Sequence, residues 1–108
     1  MTVEKLNTQI QQKQAEIKTL VANRNTILFE SFKPRINKYY RNEVYKDQYM
    51  FVDYISKDTF RPFGYEISYK NIRFGCMDTP EDWTEISKEE FEKFFNVEID
   101  RLRKEMKL

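Results

Sequence analysis

The first 30 residues restrict the fold more than any other part of the chain, because they contain neither glycine nor proline. Apolar residues recur along them at intervals of three and four, which predicts an α-helix. Thr2 is a suitable cap at its start, and Pro34 ends it because the residue before a proline disfavours helical backbone angles. A helix of about 28 residues is about 42 Å long, more than the width of a compact domain of this size. We therefore expect a long helix over residues 1–32, part of which projects from the rest of the molecule.

The apolar residues of this helix follow the two seam positions of a heptad repeat. They are Val3, Leu6, Ile10, Ile17, Leu20 and Ile27. Lys13 and Arg24 interrupt the seam, so the predicted coiled coil is imperfect. The Gln-rich first half has little else to bury, which favours pairing with a second copy or with the C-terminal part of the chain. The alternative is that the stripe lies along the protein's own sheet. We expect self-association, with a dimer favoured, through the four seam residues Leu6, Ile10, Ile17 and Leu20.

Between residues 36 and 77 the apolar period changes to two, which predicts an antiparallel sheet of three or four strands. The segment "QYMFVDYIS" is apolar on both faces and is the predicted central strand. We expect its two faces to carry Tyr49, Phe51, Asp53 and Ile55, and Met50, Val52 and Tyr54. The segment "FGYEISYK" alternates apolar residues with Gly64, Glu66 and Ser68, which predicts one solvated face. The apolar parity then slips, which requires a turn or bulge at Lys70 and Asn71.

Helical signals return in residues 79–108, where a turn at Thr79 and Pro80 precedes a second helix. Ser87 and Glu90 have the spacing of a capping box. The apolar face behind them consists of Phe91, Phe94, Phe95, Ile99, Leu102 and Met106. We expect this helix, with part of the first, to cover one face of the sheet. The predicted fold is α+β: one domain over residues 1–108 with a long N-terminal helix, an antiparallel sheet over residues 36–77 and a C-terminal helix packed on it.

The residue inventory excludes several kinds of catalytic site. The chain has no histidine and a single cysteine, Cys76, which removes Ser-His and Cys-His catalysis, histidine zinc sites and internal disulfides. Two glycines are too few for a glycine-rich phosphate loop. Asp53 lies within an apolar strand, where we expect an ion pair with Arg61 or Arg73, solvent or a pocket being the alternatives. These observations predict a protein without enzymatic activity, metal or cofactor.

The charge balance and the cysteine content indicate the compartment. Nineteen basic and eighteen acidic residues leave a formal charge of +1, which gives no whole-molecule attraction to nucleic acid or to an anionic membrane. No apolar run approaches the roughly 20 residues that a membrane span requires. With one cysteine and no recognisable secretory signal, the sequence is typical of a reduced, cytoplasmic protein without membrane association.

The segment "KPRINKYYRNEVYK", residues 33–46, combines five basic residues, one acidic residue and three tyrosines. Stacking tyrosines beside cations are typical of single-strand nucleic-acid surfaces. The same residue types also suit a first strand whose lysines protect a sheet edge, and we favour that interpretation. The candidate partner- or nucleic-acid-binding residues are Lys38, Tyr39, Tyr40, Arg41, Tyr45 and Lys46.

Residues 78–92 carry the opposite charge, with seven acidic residues and one basic residue. One interpretation is that this acidic block complements the basic first strand, within the fold, between copies or through a charged partner. The favoured interpretation is simpler, because two helix N-termini fall in this block and helix N-termini attract acidic residues.

The segment "YMFVDYISKDTFRPFGYEISYKNIRF" followed by "WTEISKEEFEKFF" resembles, in its arrangement, the small helix-and-sheet accessory proteins of phages and mobile elements. The resemblance covers about half the chain. It implies a cytoplasmic protein, in the host cytoplasm if phage-encoded, that binds a host or phage macromolecule, including as an inhibitor of a defence enzyme, and it implies no catalytic residues.

Two functional hypotheses follow from the sequence. The first is a non-enzymatic accessory or inhibitor protein that self-associates through its N-terminal helix and binds another protein. The second is an oligomeric single-stranded nucleic-acid-binding protein that uses residues 33–46.

Overall fold

The computed structural model describes residues 2–69 and 71–108, and its architecture is α+β, as predicted. Two helices flank an antiparallel sheet, and single 3₁₀ turns at Lys33–Arg35 and Pro80–Asp82 connect the elements. The helices and strands are α1 (Val3–Phe32), β1 (Tyr39–Asn42), β2 (Tyr49–Ile55), β3 (Pro62–Ser68), β4 (Asn71–Cys76), β5 (Trp83–Ile86) and α2 (Lys88–Glu105).

The strands of the described residues form one five-stranded sheet in the order β4-β3-β2-β1-β5, with every neighbouring pair antiparallel. The prediction that β2 is the central strand is confirmed. The predicted number of three or four strands is too low, because the predicted sheet ends at residue 77 and the fifth strand, β5, follows it. Since β5 pairs with β1, the first strand is internal, and the prediction that its lysines protect an edge is wrong.

A β-bulge at Asp53 changes which residues face each side of β2. The pairing with β3 shifts between Val52 and Tyr54, so Tyr54 lies opposite Phe63 and Ile55 lies opposite Pro62. The extra residue reverses the side-chain alternation beyond it. Tyr54 therefore joins the face of Phe51, and Ile55 is buried on the opposite face, the reverse of the sequence prediction.

The two helices cover opposite faces of the sheet, whereas the sequence predicted that both would cover one face. On one face the end of α1 and the turn after it, through Phe29, Phe32 and Ile36, pack on the main buried cluster. That cluster consists of Tyr40, Met50, Val52, Ile55, Met77 and Trp83. On the other face α2 packs on the sheet through Phe91, whose ring centroid lies 4.8 Å from that of Tyr39, and through Phe94, which stacks on Tyr49 at 3.9 Å.

The face of β3 that was predicted to be solvated is instead buried, as is Ile67 on its opposite face. Gly64 and Glu66 are buried, and Tyr65, between them on the opposite face, is 50% exposed. The Glu66 carboxylate is tolerated inside because Arg73 Nη2, on the neighbouring strand, donates a hydrogen bond to its Oε2 over 3.0 Å. This hydrogen bond raises the pKa of Arg73.

Most of α1 projects from the rest of the molecule, as predicted. Every residue from 2 to 24 is exposed, and the molecule measures 75 × 26 × 21 Å. The helix is capped at its start, where Thr2 Oγ1 accepts a hydrogen bond from the Lys5 backbone N–H over 3.2 Å. It ends at Phe32, immediately before the turn that contains Pro34. Only its last two turns are attached to the core.

The bulge in β2 explains why residue 64 is a glycine. A Cβ atom added to Gly64 would lie 1.8 Å from the Phe51 carbonyl oxygen, so the backbone of two strands would have to move. We expect Gly64→Ala to lower the free energy of unfolding by about 3 kcal/mol, as overpacking does. Chemical denaturation checks this value.

Gly75→Ala is the matched control, because a Cβ there has Arg73 side-chain atoms as its nearest neighbours, at 3.9 Å and beyond. We expect this variant to keep the wild-type stability or to gain up to about 1 kcal/mol. Equal losses for the two variants would contradict the role assigned to the bulge.

Candidate functional site

The exposed part of α1 presents a mainly apolar strip, here called the α1 seam, in which Lys13 and Arg24 interrupt the apolar residues Val3, Leu6, Ile10, Ile17, Leu20 and Ile27. The four residues predicted to mediate self-association are 45% to 67% exposed, and Val3 and Ile27 at its ends are 72% and 66% exposed. A helix places residues three and four apart on one side, so these side chains share a face. Their hydrocarbon surface is open to water in the single chain, which makes this face of the helix a candidate interaction surface.

Lys13 lies within the α1 seam. Its Nζ is 3.8 Å from Glu16 Oε2, one turn further along the helix. Both side chains are largely exposed, so the pair adds little to the stability of the single chain. Arg24, the second cation in the seam, donates to the Asn25 side-chain oxygen through Nη2 over 3.2 Å.

The three tyrosines of residues 33–46 lie in three different environments. Tyr39 is half-buried against α2, and Tyr40 is buried on the opposite face of the sheet. Arg35 lies over the Tyr40 ring at 5.0 Å, and burial raises the pKa of the Tyr40 hydroxyl. Tyr45 is exposed in the loop between β1 and β2. Because strand alternation separates Tyr39 from Tyr40, the three rings do not form one stacking platform.

Two of the candidate basic residues have acidic partners from the acidic block. Lys38 Nζ lies 3.4 Å from Glu85 Oε1, and Arg41 Nη1 donates to Glu90 Oε1 over 3.1 Å. Arg41 Nη2 also donates to Glu43, and the Thr84 hydroxyl together with Arg41 lowers the pKa of Glu43.

The acidic block therefore complements the basic strand within the fold, in addition to supplying the first turn of α2 with Glu89 and Glu90. One half of the predicted capping box is present at the start of α2, where Ser87 Oγ accepts a hydrogen bond from the Glu90 backbone N–H over 3.1 Å. Lys46 is exposed in the same loop as Tyr45.

A second exposed apolar surface, whose residues the sequence did not predict, lies on the α2 side of the sheet and includes Phe95 of α2 itself. We call it the aromatic patch; it consists of Tyr54, Phe63, Tyr65, Ile72, Phe74 and Phe95. The Phe74 ring is at its centre, with centroids 5.1 Å from Tyr65 and 6.0 Å from Tyr54. Apart from half-buried Phe63, its members are between 36% and 50% exposed.

The aromatic patch continues into a groove of about 300 Å³ between α2 and the sheet. The groove is lined by Tyr39, Phe51, Tyr65, Ile67, Ile72, Phe91 and Phe95. β4 contributes Ile72 and Phe74 to the patch and forms one end of the sheet order, so its outer backbone groups are an open edge next to an apolar surface. Such a combination suits a protein partner.

The candidate residues for chemistry do not converge. Asp53 is exposed on the bulge, and the predicted ion pair with Arg61 or Arg73 is wrong. Arg73 binds Glu66, and Arg61 Nη1 donates to the Asp78 backbone carbonyl over 2.6 Å. Across residues 2–69 and 71–108 no group of three or more Cys, Asp or Glu side chains is arranged to hold a metal ion.

In the same described part of the chain, no helix combines the length and the apolar character needed to cross a membrane. Comparison of the chain with protein-family models, with curated proteins and with solved structures gave no match. The interpretation of function therefore depends on the geometry of the surfaces described above.

Cys76 supplies a testable property of the sheet edge. Burial at the end of β4, with a further contribution from Asp78, raises the pKa of its thiol. We expect the rate of alkylation by iodoacetamide to rise at a higher pH in the native protein than in the urea-unfolded chain, because the thiolate is the reactive form. A native thiol that titrates at or below the pH of the unfolded one would contradict this environment.

Proposed function

We propose that this protein is a non-enzymatic interaction protein that self-associates through the α1 seam and binds another protein through its aromatic patch. The observation that carries the proposal is the α1 seam itself, an apolar strip along more than 20 residues of helix that the single chain leaves in water. A helix of this kind gains stability mainly by packing its apolar face, and a second copy of the same helix would provide that contact.

The size of the seam is sufficient for a stable homo-oligomer. Burying an Ile or Leu side chain contributes about 1.5–3 kcal/mol, and two copies would bring together the six apolar seam residues of each chain. Part of this gain offsets the entropy lost on association. The remainder is compatible with a dimer at micromolar concentrations.

The aromatic patch is the better candidate for a different partner. Aromatic rings clustered in a small area, beside a groove and an open strand edge, are typical of the central residues of protein interfaces. The resemblance to phage and mobile-element accessory proteins implies a host or defence protein as that partner. For nucleic-acid binding, the alternative hypothesis, residues 33–46 offer Tyr45 and Lys46 as neighbouring exposed groups but no shared face with Tyr39 or Tyr40.

Replacing two seam residues tests self-association. We expect Ile10→Asp with Ile17→Asp to weaken the dimer more than about 1,000-fold, because four buried isoleucines per dimer become charged side chains. Sedimentation equilibrium measures the dissociation constant. The matched control is Gln11→Asp with Thr19→Asp, which adds the same charge on the outer face of the helix and is expected to retain the dimer. A wild-type protein that remains monomeric at high micromolar concentration would remove self-association from the proposal.

Replacing two patch residues tests partner binding. We expect Tyr65→Ser with Phe74→Ser to lower capture of a partner from the native host by more than about tenfold, since central aromatic side chains dominate interface energies. Quantitative mass spectrometry of the captured proteins is the measurement. Val44→Ser with Val97→Ser replaces exposed apolar residues outside the patch and is expected to capture the same protein as the wild type. Equal capture by all three proteins would remove the patch from the proposal.

A further inference from the structure

We infer that two copies pair their α1 helices antiparallel, with the twofold axis near Ala15, so that the seam of each helix packs along the full length of the other. This inference rests on the proposed self-association and adds the orientation of the two chains. It depends on where the two seam cations fall and on how much of α1 is free.

A parallel pair in register would place identical residues opposite one another. Lys13 would then face Lys13 of the second copy, and Arg24 would face Arg24. Two of the eight seam layers would be pairs of like charges at the centre of the interface, where water is excluded and like-charge repulsion is strongest. The seam contains no acidic residue, so nothing within it neutralises these pairs of like charges.

An antiparallel pair centred near Ala15 removes both like-charge layers. Residue numbers that face each other then add up to 30, so Ile10 faces Leu20 of the second copy and Val3 faces Ile27. Lys13 faces Ile17, and Arg24 faces Leu6. Each cation can pack its hydrocarbon stem on an apolar partner while its charged end reaches water. Every seam residue has a partner in this register, and none has a like charge opposite it.

Glu16 gives the antiparallel arrangement a further electrostatic advantage. It immediately precedes Ile17, so the Glu16 carboxylate of one copy lies beside Lys13 of the other. Within a single chain the same two groups are 3.8 Å apart and largely exposed, and they are therefore free to exchange partners. By symmetry two such ion pairs form near the twofold axis.

The free length of α1 fits this register. The helix begins at Val3, every residue up to Arg24 is exposed, and Leu28 and Phe29 are half-buried where the helix joins the core. Pairing Val3 with Ile27 therefore brings the N-terminus of one copy to the point where the sheet domain of the other begins. The two sheet domains lie at opposite ends of the helix pair, which keeps both aromatic patches accessible.

Disulfide trapping between single-cysteine variants tests the orientation. The variants are Ile10→Cys and Leu20→Cys, each combined with Cys76→Ser, and one of them carries a mass tag. In the antiparallel pair residues 10 and 20 face each other, whereas residue 10 lies about 15 Å along the axis from residue 10 of the second copy. A disulfide requires Cα atoms within about 7 Å.

We expect oxidation of the mixed variants to give at least about tenfold more mixed disulfide than either variant gives with itself, because only the mixed pair is within bonding distance. Gln11→Cys with Thr19→Cys, on the outer face, serves as the control for random collision and is expected to give neither product. Self-disulfides of Ile10→Cys without the mixed product would overturn the antiparallel orientation and leave the proposed self-association intact. A monomer in sedimentation, with no trapping above the control, would overturn the self-association and the orientation together.

Discussion

The rest of the structure depends on one constraint, the attachment of α1 to the sheet through its last two turns alone. Phe29 and Phe32 anchor those turns against the buried cluster, and they fix the direction in which the preceding helix leaves the domain. The exposed turns gain little from side-chain contacts within the chain, and helices in proteins take most of their stability from packing an apolar face. The α1 seam is therefore the part of the molecule with the most to gain from a partner, and in the proposed dimer a second copy would supply a self-complementary surface.

Each helix covers one face of the sheet, but the two faces are covered to different extents. On the α1 side the buried cluster is closed, and the buried carboxylate of Glu66, on the same face of the sheet, is held by Arg73. On the other side α2 packs on β1 and β2, and Ile67 of β3 is buried, but Tyr65 of β3 and Ile72 and Phe74 of β4 form an open area. The bulge at Asp53 adds Tyr54 to this open area, so a single inserted residue helps to build the aromatic patch. The bulge at Asp53 therefore shapes both the course of β2 and the candidate interface.

Local signals were sufficient for the parts of the fold that depend on neighbouring residues. The bounds of α1 follow from a run without glycine or proline, and the start of α2 follows from Ser87 as a cap. The features that depend on pairing between distant segments could not be predicted from the sequence. β5 has four residues with no distinctive period and exists because it pairs with β1. The sequence signal of the Asp53 bulge is Gly64 alone, and the reason for a glycine there becomes clear only from its closeness to the Phe51 carbonyl. The placement of Tyr39 and Tyr40 on opposite faces followed from strand alternation, but which face each helix covers did not.

The most direct measurement of the central claim is hydrogen exchange of the α1 backbone amides as a function of protein concentration. If a second copy stabilises the projecting helix, the amides of residues 6–20 become protected as concentration rises, while those of β2 and β3 remain protected throughout because they belong to the core sheet. The amides from Phe29 to Phe32 serve as an internal reference, since their turns are anchored within the single chain. Protection of residues 6–20 that does not change with concentration would contradict the account.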